Sequence, residues 1–148
     1  QNDIEALEIA ISTIQEISKE IYKESARKLN YTASDILNEV TGGSYTSIYL
    51  DANMQVRINT PHKLLYLEQV SRGTMDQIYF VLRMAAAQLF LSGEKMPLIF
   101  DDAFVMYDEQ RLKRTLKWLC KSDSQVLLFT CHKREGEILE EIQREERV

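Results

Sequence analysis

Two short apolar runs, Pro97-Leu98-Ile99-Phe100 and Gln125-Val126-Leu127-Leu128-Phe129-Thr130, do most to limit what this chain can fold into. Each has the length of a strand and is bounded by proline or polar residues. Between them, residues 108–120 read as a helix. Strand, helix and strand joined by short connections form a βαβ unit, hence a parallel pair with a right-handed crossover. The first run ends in Asp101 and Asp102, the second in Thr130, Cys131 and His132. In a parallel pair both carboxyl ends face one crevice, where ligands of such sheets bind. Acids placed there commonly hold Mg²⁺ beside a nucleotide phosphate.

The rest of the chain leads up to that unit. Ile4, Leu7, Ile11, Ile14 and Ile21 recur at heptad spacing, which predicts a long helix over residues 3–29. Periodicity alone favours an ordinary amphipathic helix packed on a core over a coiled coil. Ser34 and Asp35 predict a second helix over about 33–41, with Gly42-Gly43 past its end. No glycine or proline interrupts the first 41 residues, which favours continuous helix. The stretch SYTSIYLDANMQVRIN predicts a hairpin around Asp51-Ala52-Asn53. Residues 75–91 are apolar nearly all round and predict a helix buried on most sides. A charged amphipathic helix follows from about residue 134.

With 148 residues, 45% of them hydrophobic and 28% charged, the chain is a globular domain large enough for a real core. It opens at Gln1 inside a helical pattern, so it is expected to be a piece of a longer protein. No run approaches the length of a membrane span, and no signal-peptide pattern opens the chain; no membrane partner is expected. Cys120 and Cys131 have no metal-ligand spacing and are read as reduced thiols of a cytoplasmic protein. A net charge of −5 argues against a broad nucleic-acid-binding surface. Lys113, Arg114 and Lys117 form a local basic run, of a kind usually found on a solvated helix face.

Taken singly, the polar motifs have plain structural explanations. Asp101-Asp102 could cap a helix, His132 could be a hydrogen-bonding residue, and Ser71-Arg72-Gly73-Thr74 could be a serine-capped turn. Their order is more specific: a Ser-x-Gly turn before a buried helix, a strand ending in two acids, Asp108, a helix, a strand and a histidine. This succession resembles the C-terminal lobe of an SMC-like, ABC-type ATPase head. It is similar above all to bacterial YhaN-type ATPases, with their SRGT-DQ, LDD-F and FTCH sequences. Here these read Ser71-Arg72-Gly73-Thr74 with Asp76-Gln77, Phe100-Asp101-Asp102 with Phe104, and Phe129-Thr130-Cys131-His132. The resemblance covers about residues 60–135.

The fold it implies is α/β: the C-terminal lobe of an ABC/SMC-type P-loop ATPase head, residues 31–148, preceded by a coiled-coil helix stub, residues 1–30. The roles it implies are ATP binding by Ser71, Arg72, Gly73 and Asp108, with Arg72 equally able to bind a carboxylate across the interface, and action on Mg²⁺ through water by Asp101. Catalysis would fall to Asp102, at the position of the carboxylate that polarises water, and to His132, the switch histidine that senses the γ-phosphate. Ser71 and Gly73 match the signature motif, which acts on nucleotide held mainly by the opposite head; a hydroxyl and N–H groups at a helix start suit an anion. Two departures stand out. Asp102 occupies a position usually held by glutamate, and Arg72 replaces the first glycine of the general signature, as the YhaN-like pattern expects.

A phosphate-binding Walker A loop needs glycines five apart before Lys-Ser or Lys-Thr. Gly42, Gly43, Gly73, Gly93 and Gly136 include no such pair. In SMC-like proteins that loop lies in the N-terminal lobe, beyond the coiled coil, so this chain is expected to be inactive by itself. The partners implied are the Walker A lobe and a second head, with DNA and a nuclease subunit suggested by the family's work in DNA repair and chromosome maintenance. Three alternatives remain: an ATP-gated clamp with little turnover, an unrelated Mg²⁺-dependent phosphotransfer domain, and a helical dimerisation module.

Overall fold

A computed structural model describes residues 2–51, 55–91, 94 and 96–145, with side chains from Ile4 onward. The first element is one unbroken helix, α1 (Asn2–Thr41), as the absence of glycine and proline favours, rather than the two helices that Ser34 and Asp35 suggest. Ser34, which suggested a new helix start, instead bonds a strand from within the helix, as does Asn30. Ser34 Oγ accepts from the Ile48 N–H at 3.0 Å while donating to the Asn30 carbonyl at 2.7 Å, and the Asn30 side-chain amide accepts from the Leu50 N–H and donates to the Leu50 carbonyl. Two helix side chains thus serve the outer edge of the first strand, which would otherwise present unpaired backbone groups.

Residues 4–28 of α1 are exposed throughout, including Ile4, Leu7, Ile11, Ile14 and Ile21; burial begins at Leu29. A long helix with an uncovered heptad stripe is the coiled-coil stub the sequence indicated. Its other end is fully tied down. Gly42 and Gly43 adopt φ of +60° and +80°, and their N–H groups return to the carbonyls of Glu39 and Asn38. This is a Schellman termination, open to glycine for steric reasons. The Val40 and Thr41 carbonyls accept from Gln77 and Arg114. All four final carbonyls of the helix therefore have partners.

The predicted hairpin strands are β1 (Ser47–Leu50) and β2 (Val56–Asn59), paired antiparallel with Ile48 opposite Ile58. The turn at Ala52-Asn53 lies outside the described residues. A third strand that the sequence reading lacks, β3 (Leu64–Tyr66), adds to β2. Helix α2 (Arg72–Leu91) follows. It buries one face, through Gly73, Thr74, Gln77, Ile78, Phe80, Val81 and Ala85, rather than most sides; Tyr79 and Phe90 are exposed.

The βαβ unit is present as β4 (Leu98–Asp101), α3 (Glu109–Cys120) and β5 (Val126–Phe129), and α4 (Lys133–Glu145) ends the described chain. β4 and β5 pair in parallel with Asp101 opposite Phe129. Phe100 faces a core in which Phe80, Phe104 and Trp118 meet, with Phe80 5.8–5.9 Å from the other three rings. The strands are buried on one side only, because two strands with helices on one face leave the other bare. Ile99 is 65% and Phe129 56% exposed, and Leu127 joins them.

Candidate functional site

The two strand ends are stitched together at their carboxyl edge. The Asp102 N–H continues the ladder to the Phe129 carbonyl at 2.9 Å, and Asp102 Oδ1 accepts from the Cys131 N–H at 3.1 Å. Asp102 has φ of +43°, a left-handed conformation that aspartate tolerates better than most residues and that often marks functional positions. The chain turns again at Thr130, whose Oγ1 accepts from the His132 N–H at 3.0 Å. Asp101, Asp102 and His132 are all exposed at this edge. The structure thus brings the two acids and the histidine segment to one place.

After Asp102 the chain loops through Phe104 and Tyr107, both buried, before α3. Burial, and then the negative charge of Asp76, push the Tyr107 hydroxyl well above its ordinary range, while Arg111 opposes this; the phenol stays protonated. Asp108 closes the loop by capping α3, its Oδ1 accepting from the Arg111 N–H at 2.9 Å. A carboxylate here also meets the positive end of the helix dipole. The Arg111 guanidinium reaches Asp108 Oδ2 at 3.4 Å on one side and donates to Thr74 Oγ1 at 3.0 Å on the other.

Thr74 in turn lies 2.9 Å from Ser71 Oγ, which also accepts from the Thr74 N–H. A continuous polar chain therefore joins Ser71 at the start of α2 to Asp108 at the start of α3. Gly73 sits where the two segments press together. A Cβ there would lie 2.8 Å from the Met106 carbonyl and 2.6 Å from Arg111 Nη1, so only glycine allows this approach. Arg72 is exposed and makes a loose ion pair with Asp76 at 3.8 Å. Among the described residues, no hydrogen bond or ion pair joins Ser71, Arg72 or Gly73 to Asp101, Asp102 or His132.

Sequence reasoning missed Thr74, Arg111 and Arg134 as structural partners of the site. Arg111 carried a local signal, three residues beyond an acid on a helix. Arg134 carried none; its guanidinium binds the carbonyls of Phe104, Val105 and Tyr107. The basic run on α3 is already engaged. Lys113 bonds Glu141 and Glu145, Lys117 bonds Glu145, and Arg114 serves α1.

Asp101 offers an exposed carboxylate with no side-chain hydrogen bond or ion pair among the described residues. Those residues include no group of three or more His, Cys, Asp or Glu that could cage a metal. Mg²⁺ needs no such cage when nucleotide phosphates and water complete its shell, so one or two acids at a strand end fit it.

Solved structures of SMC proteins share this fold. An SMC ATPase described for ATP-driven dimerization and DNA-stimulated activation superposes with a TM-score of 0.67 at 16% identity, over 81% of this chain and 77% of that one. The Smc head of Pyrococcus furiosus, with an extended coiled coil and bound to the C-terminal domain of ScpA, gives 0.63 at 17% identity, over 88% and 35%. The Smc head of Pyrococcus yayanosii, with a coiled coil and joint, gives 0.71 at 14%, over 90% and 27%. The chain has the fold of the C-terminal lobe of an SMC-type ATPase head with a coiled-coil stub. In sequence it is similar to the uncharacterized protein YhaN of Bacillus subtilis strain 168, at 34% identity over 111 residues, 71% of this chain. The chain spans 11% of that relative's length. No protein-family model matches it. No helix among the described residues is long and apolar enough to cross a membrane.

Proposed function

We propose that this chain is the C-terminal half of an ATP-hydrolysing head. The observation that carries the reading is the bond from the Cys131 N–H to Asp102 Oδ1, which sets the acids and the His132 segment at one carboxyl edge. In this reading residues 31–148 form the lobe and residues 1–30 the coiled-coil stub. A Walker A lobe supplied by the same protein covers the bare β4–β5 face around Ile99, Leu127 and Phe129 and holds most of the nucleotide. Asp101 would hold Mg²⁺ through water, and the ion, when bound, would neutralise phosphate charge. Asp102 orients the attacking water through Oδ2, since Oδ1 is occupied by the Cys131 N–H. His132, exposed on the same edge, donates to the γ-phosphate.

Ser71, Arg72 and Gly73, apart from the acids of their own chain, act with Asp108 on nucleotide across a dimer of heads. The ATP-driven dimerization of one structural neighbour supports this arrangement. The same neighbour's DNA-stimulated activation supports DNA as a partner; a cytoplasmic role in DNA repair or chromosome maintenance, with a nuclease subunit, belongs to the same proposal. A second reading, an ATP-gated clamp with little turnover, is favoured by one observation: Asp102 is a methylene shorter than glutamate and has one oxygen already engaged. Steady-state ATP hydrolysis by the complete head, with and without Asp102→Asn, separates the two. A large loss supports catalysis by Asp102, and equal rates remove it.

A further inference from the structure

Arg134 lies two residues beyond His132, in the first turn of α4, yet its side chain belongs to a different segment. Nη1 donates to the Tyr107 carbonyl at 2.8 Å, and Nη2 donates to the carbonyls of Phe104 and Val105 at 2.8 and 3.1 Å. On its other side Nε reaches Glu135 Oε1 at 3.3 Å. Glu135 is only 2% exposed, and its second oxygen has no partner. The buried Glu135 side chain abuts the guanidinium from behind and limits its movement. A rigid planar fork with five donors can meet three diverging carbonyls at once; a lysine amine at the end of a flexible stem cannot hold them in the same geometry.

The loop held in this way leads directly to both other polar motifs. Its Met106 carbonyl presses on Gly73, and its last residue, Asp108, connects through Arg111 to Thr74. We propose that Arg134 is a positioning residue that couples the His132 segment to the 104–108 loop, and through it to the start of α2. The proposal rests on the reading of this chain as part of an ATPase head. A shift of His132 on meeting or losing a phosphate would move the first turn of α4 and carry the loop with it.

The test compares wild type with Arg134→Gln and Arg134→Lys in two measurements. Amide hydrogen exchange on this chain should show the Tyr107, Arg111 and Thr74 amides exchanging at least about tenfold faster in Arg134→Gln, with β1–β3 unaffected and partial recovery in Arg134→Lys. Unchanged exchange at those amides overturns the proposal, as does an increase shared equally by β1–β3. In the protein carrying the Walker A lobe, Arg134→Gln should lower kcat roughly tenfold or more with KM for ATP within about twofold, and lysine should restore part of it. An unchanged kcat in an active protein also overturns it. If the wild type hydrolyses no ATP, the ATPase reading fails, and the exchange data alone then decide whether Arg134 couples the two segments.

Discussion

The side-chain amide of Gln77 donates to the carbonyl of Val40 at 3.0 Å, in a setting where Gln77 is 1% exposed. This bond joins the end of the long helix to the helix that begins at Ser71-Arg72-Gly73. Gln77 lies inside the stretch matched to YhaN-type sequences, and in this chain its work is structural. It fills one of the carbonyl vacancies that every helix end leaves, and it does so across elements.

Replacing Gln77 by leucine keeps the volume and removes the donor, leaving the Val40 carbonyl buried without a partner. The expected cost is about 1–3 kcal/mol, read as a lower urea midpoint with an unchanged slope. A midpoint equal to wild type would show that Val40 finds another donor.

Two glycines should respond to alanine with opposite signs. At Gly73 the new Cβ meets the Met106 carbonyl at 2.8 Å, so backbone must move and Gly73→Ala should destabilise by about 1–3 kcal/mol. Gly136 lies within α4 with nothing within 4 Å of its Cβ position. There alanine should stabilise by about 0.5–1 kcal/mol, through lower chain entropy and better helix propensity. Thermal unfolding of the two variants side by side tests both signs at once.

The α3–α4 ion pairs give a pH prediction. Hydrogen bonds from Lys117 and then Lys113 hold the Glu145 carboxyl below its ordinary value of 4.5. Its contribution is therefore present above that value and is lost as pH falls through the lower, folded one. Hydrogen bonds to Glu141 and then Glu145 raise Lys113 above 10.5, so its contribution is complete below that value and fades as pH climbs past the folded one. A carbon-13 NMR titration should show the Glu145 midpoint moving up in Lys117→Ala. No movement would show that the pair is not formed in solution.

Those same pairs bear on DNA. Lys113 and Lys117 are engaged by carboxylates, so they are poor candidates for phosphate contacts. If a head containing this chain binds DNA, Lys113→Ala with Lys117→Ala should leave the salt dependence of binding unchanged. A fall in the log–log slope of about one for each lysine would place them on the DNA.

How far the sequence revealed this molecule depended on how local each cause was. The β4–α3–β5 unit, the acids at Asp101 and Asp102 and the glycine termination at Gly42 were all readable, because their signals lie within a few residues of their effects. The second helix start suggested by Ser34 and Asp35 is absent, and the Ser34 side chain, like that of Asn30, bonds a strand some 14 to 20 residues away. Strand β3 is three residues long and mostly exposed, so it carries too little pattern to announce itself. At the site, Asp102 and His132 could be placed at one edge from strand order alone. Arg134 could not, because its partners lie 27 to 30 residues away and only the fold brings them within reach.

In the proposed function this chain holds the acids and the histidine of an ATPase head, and another lobe grips the nucleotide. The direct test is ATP hydrolysis by this chain alone and then with the matching Walker A lobe added. The account predicts no turnover alone, turnover on mixing, and its loss with Asp102→Asn. Turnover by the isolated chain that disappears with Asp101→Asn would mean it holds nucleotide without a phosphate loop, and would contradict the account.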